Sequence, residues 1–368
     1  MTAVADPLAP VADEAAGALA ERLFGGVLAT MELFTAHLGW RFGFYEQLRE
    51  ARTYEQVAAA TGVLPRYVRE WCEQQAAAGI LTVDDPEAAP EERGFALPEG
   101  HASALLDPDH PAYIGAVVVL AGGIGTSFGP VTDAYRQGTG LSFGGYGDEI
   151  RWGQGLLNRG GFLGALTQEW LPTMPEVGAL LGRPGATALD VGCGVGWSTI
   201  ALARAFPGLT VVGVDSDEAS VMDARRNAAD SDVAERVRFE VRASDTPVPA
   251  SSTDVVFFFE ALHDMAHPVA ALHTARAALR PGGRVVVLDE NVLDTFTPNA
   301  PEPERLLYAS SVLHCLPVGL AEADSAGTGA MMRPDLLHRY ASEAGFTDIQ
   351  EVLAAPDAFR CWVLTAGT

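Results

Sequence analysis

Three hundred and sixty-eight residues exceed what one compact core usually organises, so two domains are expected. Hydrophobic residues at 48% and charged residues at 20% are ordinary globular proportions, which exclude a wholly disordered or fibrous chain. All 24 cations are arginine and they stand against 48 acids; the resulting formal charge of −24 repels phosphate backbones and argues against a nucleic-acid partner.

The first residues include Asp6, Asp13 and Glu14 and lack the basic segment and apolar run of a signal peptide. The most apolar stretch, residues 112–125, is short and interrupted by glycine, so no membrane span is expected. Cys72, Cys193, Cys315 and Cys361 are scattered without a CxxC pair. That pattern suggests neither a disulfide framework nor a metal site, and it fits a reducing, cytoplasmic compartment.

From about Ala15 to Leu48, apolar Leu19, Leu23, Val27, Met31, Phe34 and Leu38 recur at helical spacing. Residues 54–62 and 65–78 predict two helices around a glycine turn, and the apolar segments 79–83 and 95–97 predict a short hairpin. This is the order of a winged helix. Six arginines between Arg41 and Gly100 face eleven acids, and the second helix sets Arg66 and Arg69 beside Glu70 and Glu73. A DNA-groove reader needs a basic face, so residues 1–107 are expected to serve as a platform for a homodimer.

Residues 108–182 read as a helical, glycine-rich connector that lines the active site. From residue 183 to 368 the texture becomes α/β, with strands expected at 188–191, 210–215, 237–241, 254–260, 284–289, 348–352 and 359–365. Helical stretches between the early strands imply a doubly wound parallel sheet. Residues from about 294 to 337 interrupt that rhythm and are read as a helical cap over the site.

The sharpest motif is the run from Leu189 to Thr199, a strand followed by a glycine turn that opens a helix. Gly192, Gly194 and Gly196 let the backbone turn and approach a ligand, with helix-start amides facing it. A dinucleotide fingerprint would need GxGxxG; here the spacing is GxGxG and Trp197 follows. Asp190 would repel a pyrophosphate but attract the ammonium and sulfonium of S-adenosylmethionine (SAM). Asp215 ends the second strand, where a ribose hydroxyl pair is held.

These residues, with the Arg280-Pro281-Gly282-Gly283 turn before the fifth strand, resemble the class I SAM-dependent methyltransferases. The acidic winged helix, the segment Leu313-His314-Cys315-Leu316-Pro317 and residues 329–334 extend the likeness to a bacterial subgroup with an N-terminal winged helix, similar to small-molecule O-methyltransferases. The resemblance implies a Rossmann-like seven-stranded SAM-binding domain. It implies that Asp190 and the three glycines line the methionine end, Asp215 the ribose, and Ser244 with Asp245 the adenine, with Ser216 and Glu260 among the cofactor contacts. S-adenosylhomocysteine (SAH) would be the product.

The fourth strand ends in Glu260-Ala261-Leu262-His263-Asp264, so His263 falls at the carboxyl edge of the sheet, where ligands of open α/β folds sit. An acceptor hydroxyl must lose a proton as it attacks, and imidazole titrates near neutrality. His263 is therefore the candidate base and Asp289 its orienting carboxylate. Trp152, Asn158, Arg159 and His314 are candidates for binding the acceptor. The leading expectation is methyl transfer to a small natural product, with oxygen the favoured acceptor atom. One alternative keeps the fold and performs a non-methylating reaction such as cyclisation; another is a SAM-sensing transcriptional regulator.

Overall fold

A computed structural model describes residues 9–352 and 359–366. The chain divides into two compact units, split after Gly125.

In the first unit, helix α1 (Ala9–Arg41) ends before Gly43, whose φ of +68° opens the short α2 (Phe44–Gln47). Thr53 and Gln56 form a reciprocal capping box at the start of α3 (Tyr54–Thr61), and Gly62, at φ +71°, ends it. Pro65 occupies the first turn of α4 (Pro65–Ala77). Strands β1 (Thr82–Val83) and β2 (Phe95–Ala96) pair antiparallel as the wing, followed by α5 (Glu99–Leu106). Tyr45, Leu48, Val57, Val68, Cys72 and Phe95 form the core. The Tyr45 hydroxyl donates to Gln75 Oε1 at 2.5 Å inside it. Along α1 the apolar Leu23, Phe24, Val27, Leu28 and Met31 are all more than half exposed.

Helix α6 (Gly115–Gln137) corrects one expectation: it is long and apolar enough to cross a membrane by length and composition. Its Ala116, Val118, Val119, Val131 and Ala134 are buried within the protein, while Val117, Phe128 and Tyr135 are exposed. The connector continues as α7 (Asp148–Gly160), a π-helical stretch over Gly161–Trp170, and α8 (Pro175–Leu181).

The second unit is built on a seven-stranded sheet. Chain order runs β3 (Thr187–Val191), α9 (Trp197–Ala205), β4 (Thr210–Asp215), α10 (Glu218–Ala229), β5 (Val237–Val241), β6 (Thr253–Phe259), α11 (Pro268–Ala278) and β7 (Leu279–Glu290). The cap segment follows, with α12 (Glu302–Ser310), a π-helical turn at Ser311–Cys315 and α13 (Leu316–Gly319). Then come α14 (Pro334–Glu343), β8 (Phe346–Val352) and β9 (Phe359–Ala366). Spatial order is β5-β4-β3-β6-β7-β9-β8.

Strands β3 to β7 are parallel, as expected, but β9 runs antiparallel between β7 and β8. Only residues 353–358 separate β8 from β9, and a parallel crossover needs a dozen or more. Alternate residues of each strand enter opposite cores: Val255, Phe257, Val286 and Leu288 face α8, α9 and α10, whereas Val256, Phe258, Val285 and Val287 face α11 and α14. In the cap, Glu304 is 3% exposed and pairs with Arg333 at 3.1 Å while accepting from the Leu293 amide. This buried pair staples α12 to the start of α14.

Candidate active site

The three motif glycines all have left-handed backbones, with φ +77° at Gly192, +51° at Gly194 and +86° at Gly196. A Cβ on Gly192 would stand 2.5 Å from Ala261 Cβ, and one on Gly196 would meet Phe239 at 2.8 Å. Gly194 has open space where a Cβ would project, so a ligand can approach its backbone. The Gly192 and Cys193 amides both donate to Val214 O, tying the turn to β4.

Asp190 is fully buried at the base of this turn. The Ser198 and Thr199 hydroxyls, in the first turn of α9, each donate to its Oδ2 at 2.6 Å, and Oδ1 is buried with no hydrogen-bond partner. Burial pushes its carboxyl up to about 6, against the two hydroxyl donors, with Asp215 adding to the rise. Asp215 accepts from the Gly194 amide at 2.8 Å and the Asp217 amide at 2.9 Å, and burial raises its carboxyl too.

Ser216 follows it on an exposed position, while Ser244 and Asp245 are half-buried after β5. The Asp245 carbonyl accepts from Thr274, and no hydrogen bond among the described residues joins Ser244 or Asp245 to the glycine turn. Glu260, at the end of β6, has the left-handed φ of +50° that is uncommon for a residue with a side chain. Burial, Glu290 and Asp289 together hold its carboxyl well above the usual range, against the influence of His263.

His263 sits on a short 3-10 turn after β6 and is 3% exposed. Its Nδ1 lies 2.6 Å from Oδ1 of Asp289, itself 1% exposed at the end of β7. Asp289 Oδ1 also accepts from the Glu290 amide, while Oδ2 has no partner. On the other side, Nε2 is 3.2 Å from Asp264 Oδ1. A neutral imidazole carries one N–H, so carboxylate oxygens beside both nitrogens fit the imidazolium. Burial alone would lower the His263 pKa, but Asp289 and Asp264 override it and hold it well above 6.5. The same pairing lowers Asp264 against its burial, and burial lifts Glu290 to about 7.

The cap delivers His314 and Cys315 on its π-helical turn, the irregularity that often marks functional sites. The His314 ring packs edge-on against Tyr146 at 4.6 Å and Phe143 at 5.8 Å. Its Nε2 is buried without a partner, and burial depresses its pKa. The Tyr146 hydroxyl donates to the Leu313 carbonyl at 2.8 Å and anchors this turn.

Helix α7 carries Trp152, Asn158 and Arg159, all half-buried. The Arg159 guanidinium lies 5.3 Å from the ring centre of Trp197, the residue after Gly196, a cation–π contact that joins α7 to the glycine turn. Asn158 accepts a long 3.5 Å bond from Gln154. A Cβ on Gly155 would stand 2.6 Å from Val195, so α7 packs directly on the turn.

Asp215 is thus hydrogen-bonded to the glycine turn, Asp190 is held by Ser198 and Thr199 at its base, and His263 with Asp289 forms a second pair. Sequence reasoning assigned no role to Ser198, Thr199, Gly155, Asp264, Glu290 or Tyr146. Asp264 beside His263, Glu290 beside Asp289, and Ser198 and Thr199 within the glycine motif had local signals, whereas Gly155 and Tyr146 depend on which elements pack together.

Residues 183–328 match the model of a methyltransferase domain, and residues 29–106 match an Rv2258c-like winged HTH domain. These matches give the chain a methyltransferase domain, on the seven-stranded sheet with its GxGxG turn, and an N-terminal winged-helix domain ahead of it.

Among curated relatives, 27-O-demethylrifamycin SV methyltransferase of Amycolatopsis mediterranei is 39% identical over 108 residues, covering 29% of this chain and 39% of that protein. An uncharacterised 37.1 kDa protein of a Streptomyces fradiae transposon is 37% identical over 127 residues, 34% of this chain and 36% of its own. The aligned segments therefore span well under half the length of these two relatives. The solved structure of mitomycin 7-O-methyltransferase superimposes with a TM-score of 0.66 at 23% identity, over 96% of this chain and 100% of that one.

Proposed function

We propose that this protein transfers the methyl group of SAM to an oxygen of a small natural-product acceptor, releasing SAH. The observation that carries the reading is the buried His263–Asp289 pair at the carboxyl edge of the sheet, beside the glycine turn. The residues at that turn fit the cofactor. Asp190 keeps a buried, unpartnered Oδ1 for a cationic group, and Gly194 leaves open space above its backbone. Asp215, Ser216, Ser244, Asp245 and Glu260 are the further cofactor contacts in this reading. SAM supplies, when bound, a methyl group on a positively charged sulfur, open to in-line displacement.

The protein's own work is positioning and proton removal. Asp289 holds Nδ1–H of His263, which directs Nε2 to the acceptor hydroxyl. That hydroxyl takes the place of the Asp264 contact at Nε2, and His263 accepts its proton in the neutral form. Trp152, Asn158, Arg159 and His314 shape the acceptor pocket.

Incubation of the protein with methyl-labelled SAM and a panel of phenolic polyketides, followed by mass spectrometry, tests the reading. A product heavier by one labelled methyl on oxygen supports it; a product of unchanged mass or a methylated carbon refutes it. His263→Ala lowers kcat by ~10²–10⁴, the usual size of a general-base contribution, with SAH affinity unchanged.

The working unit in this reading is a homodimer in the cytoplasm. The exposed apolar run from Leu19 to Leu38 on α1 suits a second copy of the same helix, because that much apolar surface is costly in water. The four cysteines are free, in keeping with a reducing compartment. On α4 the arginines pair with acids one turn on, Arg66 with Glu70 and Arg69 with Glu73, which leaves little positive field for DNA.

A further inference from the structure

The proton-accepting end of His263 faces a set of donor atoms that proton transfer by His263 does not require. A ring nitrogen of His263, a carboxylate oxygen of Asp264 and Sγ of Cys315 all lie within 4.8 Å of one another, and Nε2 is the nitrogen on the Asp264 side, 3.2 Å from Oδ1. They come from two elements, the 3-10 turn at Leu262–Asp264 and the π-helical turn at Ser311–Cys315. We propose that His263, Asp264 and Cys315 form a divalent-metal site of the zinc class, and that an ion bound there blocks methyl transfer by taking the imidazole lone pair. The binding stands on its own geometry; the blocking effect rests on the reading of His263 as the base.

Four features support an ion here. Nitrogen, oxygen and sulfur donors together favour zinc or cobalt over magnesium or calcium, which prefer oxygen alone. Zinc bonds of roughly 2.0–2.3 Å place neighbouring tetrahedral donors about 3.3–3.7 Å apart, so the three side chains need shifts of about 1 Å or less. Asp289 at Nδ1 fixes the ring so that Nε2 faces the cluster, as the outer carboxylate does in a carboxylate–histidine–zinc arrangement. Asp264 Oδ1 is buried and makes no hydrogen bond, although it stands 3.2 Å from Nε2.

Glu260 and Glu290 flank His263 from the ends of β6 and β7 with carboxyls that burial raises, and His314 adjoins from the cap. Three protein donors leave the fourth position of the ion to water. Binding replaces the Nε2 proton of the imidazolium and the thiol proton of Cys315, so each ion releases two protons and affinity rises with pH. Burial keeps the thiol protonated until the ion arrives, with its pKa pushed up to about 12.

The test is cobalt(II) titration of the full-length protein saturated with SAH, read by visible absorption. The expected result is one ion per chain, with tetrahedral d–d bands and a thiolate-to-cobalt charge-transfer band that disappears in Cys315→Ala. Cobalt affinity falls at least about tenfold in Cys315→Ala and Asp264→Asn, while SAH affinity holds. Cys315→Ser, closer in shape to the native thiol, repeats the measurement should the alanine variant unfold. Zinc displaces the cobalt and inhibits methyl transfer, and Cys315→Ser weakens that inhibition by the same factor. Absent cobalt binding, a spectrum without the charge-transfer band, or an affinity indifferent to Cys315 overturns the proposal. The cobalt spectrum is independent of turnover, so a protein that fails to methylate any acceptor still tests the site.

Discussion

Replacing Asp289 by Asn is the most direct probe of the base. The side chain keeps its shape, but the 2.6 Å contact to His263 Nδ1 loses its charge in a place where both residues are almost wholly buried. A hydrogen bond to a charged group is worth ~1.5–3 kcal/mol, so kcat falls about 10- to 150-fold if only that support is lost. The fall deepens toward ~10⁴ if the amide N–H donates to Nδ1 and moves the ring proton to Nε2, where the acceptor needs a lone pair. Asp289 also helps hold the His263 pKa above 6.5, so its loss shifts the rising limb of the pH–rate profile toward acid. Stopped assays across pH 6–10 with methyl-labelled SAM, alongside SAH calorimetry, separate these effects. Wild-type kcat with an unmoved limb, or losses of SAH affinity and kcat in equal proportion, would refute Asp289 as the orienting carboxylate.

Further outcomes follow from the same contacts. Because the His263 pKa is raised, the wild-type rate climbs as pH rises above 6.5; in Asp264→Asn that climb begins at lower pH, and an unshifted profile would remove Asp264 from the site. The Asp190 carboxyl is raised from 3.8 to about 6, so ionising it costs stability, and that cost grows from about pH 4 until pH exceeds 6. Asp190→Asn therefore raises the unfolding free energy by up to about 3 kcal/mol at pH 8 and by little at pH 4, while it weakens SAM binding; denaturant melts at the two pH values check this. Gly192→Ala, with its Cβ 2.5 Å from Ala261 and a left-handed φ, loses both stability and SAH affinity, whereas Gly194→Ala loses SAH affinity with the smaller cost of backbone strain, about 1–3 kcal/mol. Leu23→Glu with Val27→Glu on α1 gives monomers by sedimentation velocity if a second copy covers that helix, and an unchanged sedimentation coefficient would send the apolar face elsewhere.

Much of this architecture is local enough to be read along the chain. Strand runs such as Val255 to Phe259 alternate between two cores and are apolar throughout, so a buried parallel strand was evident before its neighbours were known. The glycine turn was equally plain, since its three left-handed positions demand glycine and its place between strand and helix is a matter of adjacent residues. Asp190, Asp215 and His263 could be named because each lies at or just beyond the carboxyl end of a strand, which chain order alone identifies.

What these residues touch was decided by tertiary structure. The short 353–358 connection makes β8 and β9 antiparallel to one another, but that β9 inserts between β7 and β8 is set by the tertiary fold. Asp190 meets the hydroxyls of Ser198 and Thr199 because α9 folds back over β3. The protonation state of His263 depends on Asp289, twenty-six positions away, as much as on its neighbour Asp264. Composition and periodicity act over a few residues, and they set which segments become strands, helices and turns. Burial, charge pairing and pKa are sums over atoms that only the folded sheet brings within a few ångströms, and those sums decide whether His263 acts as a base.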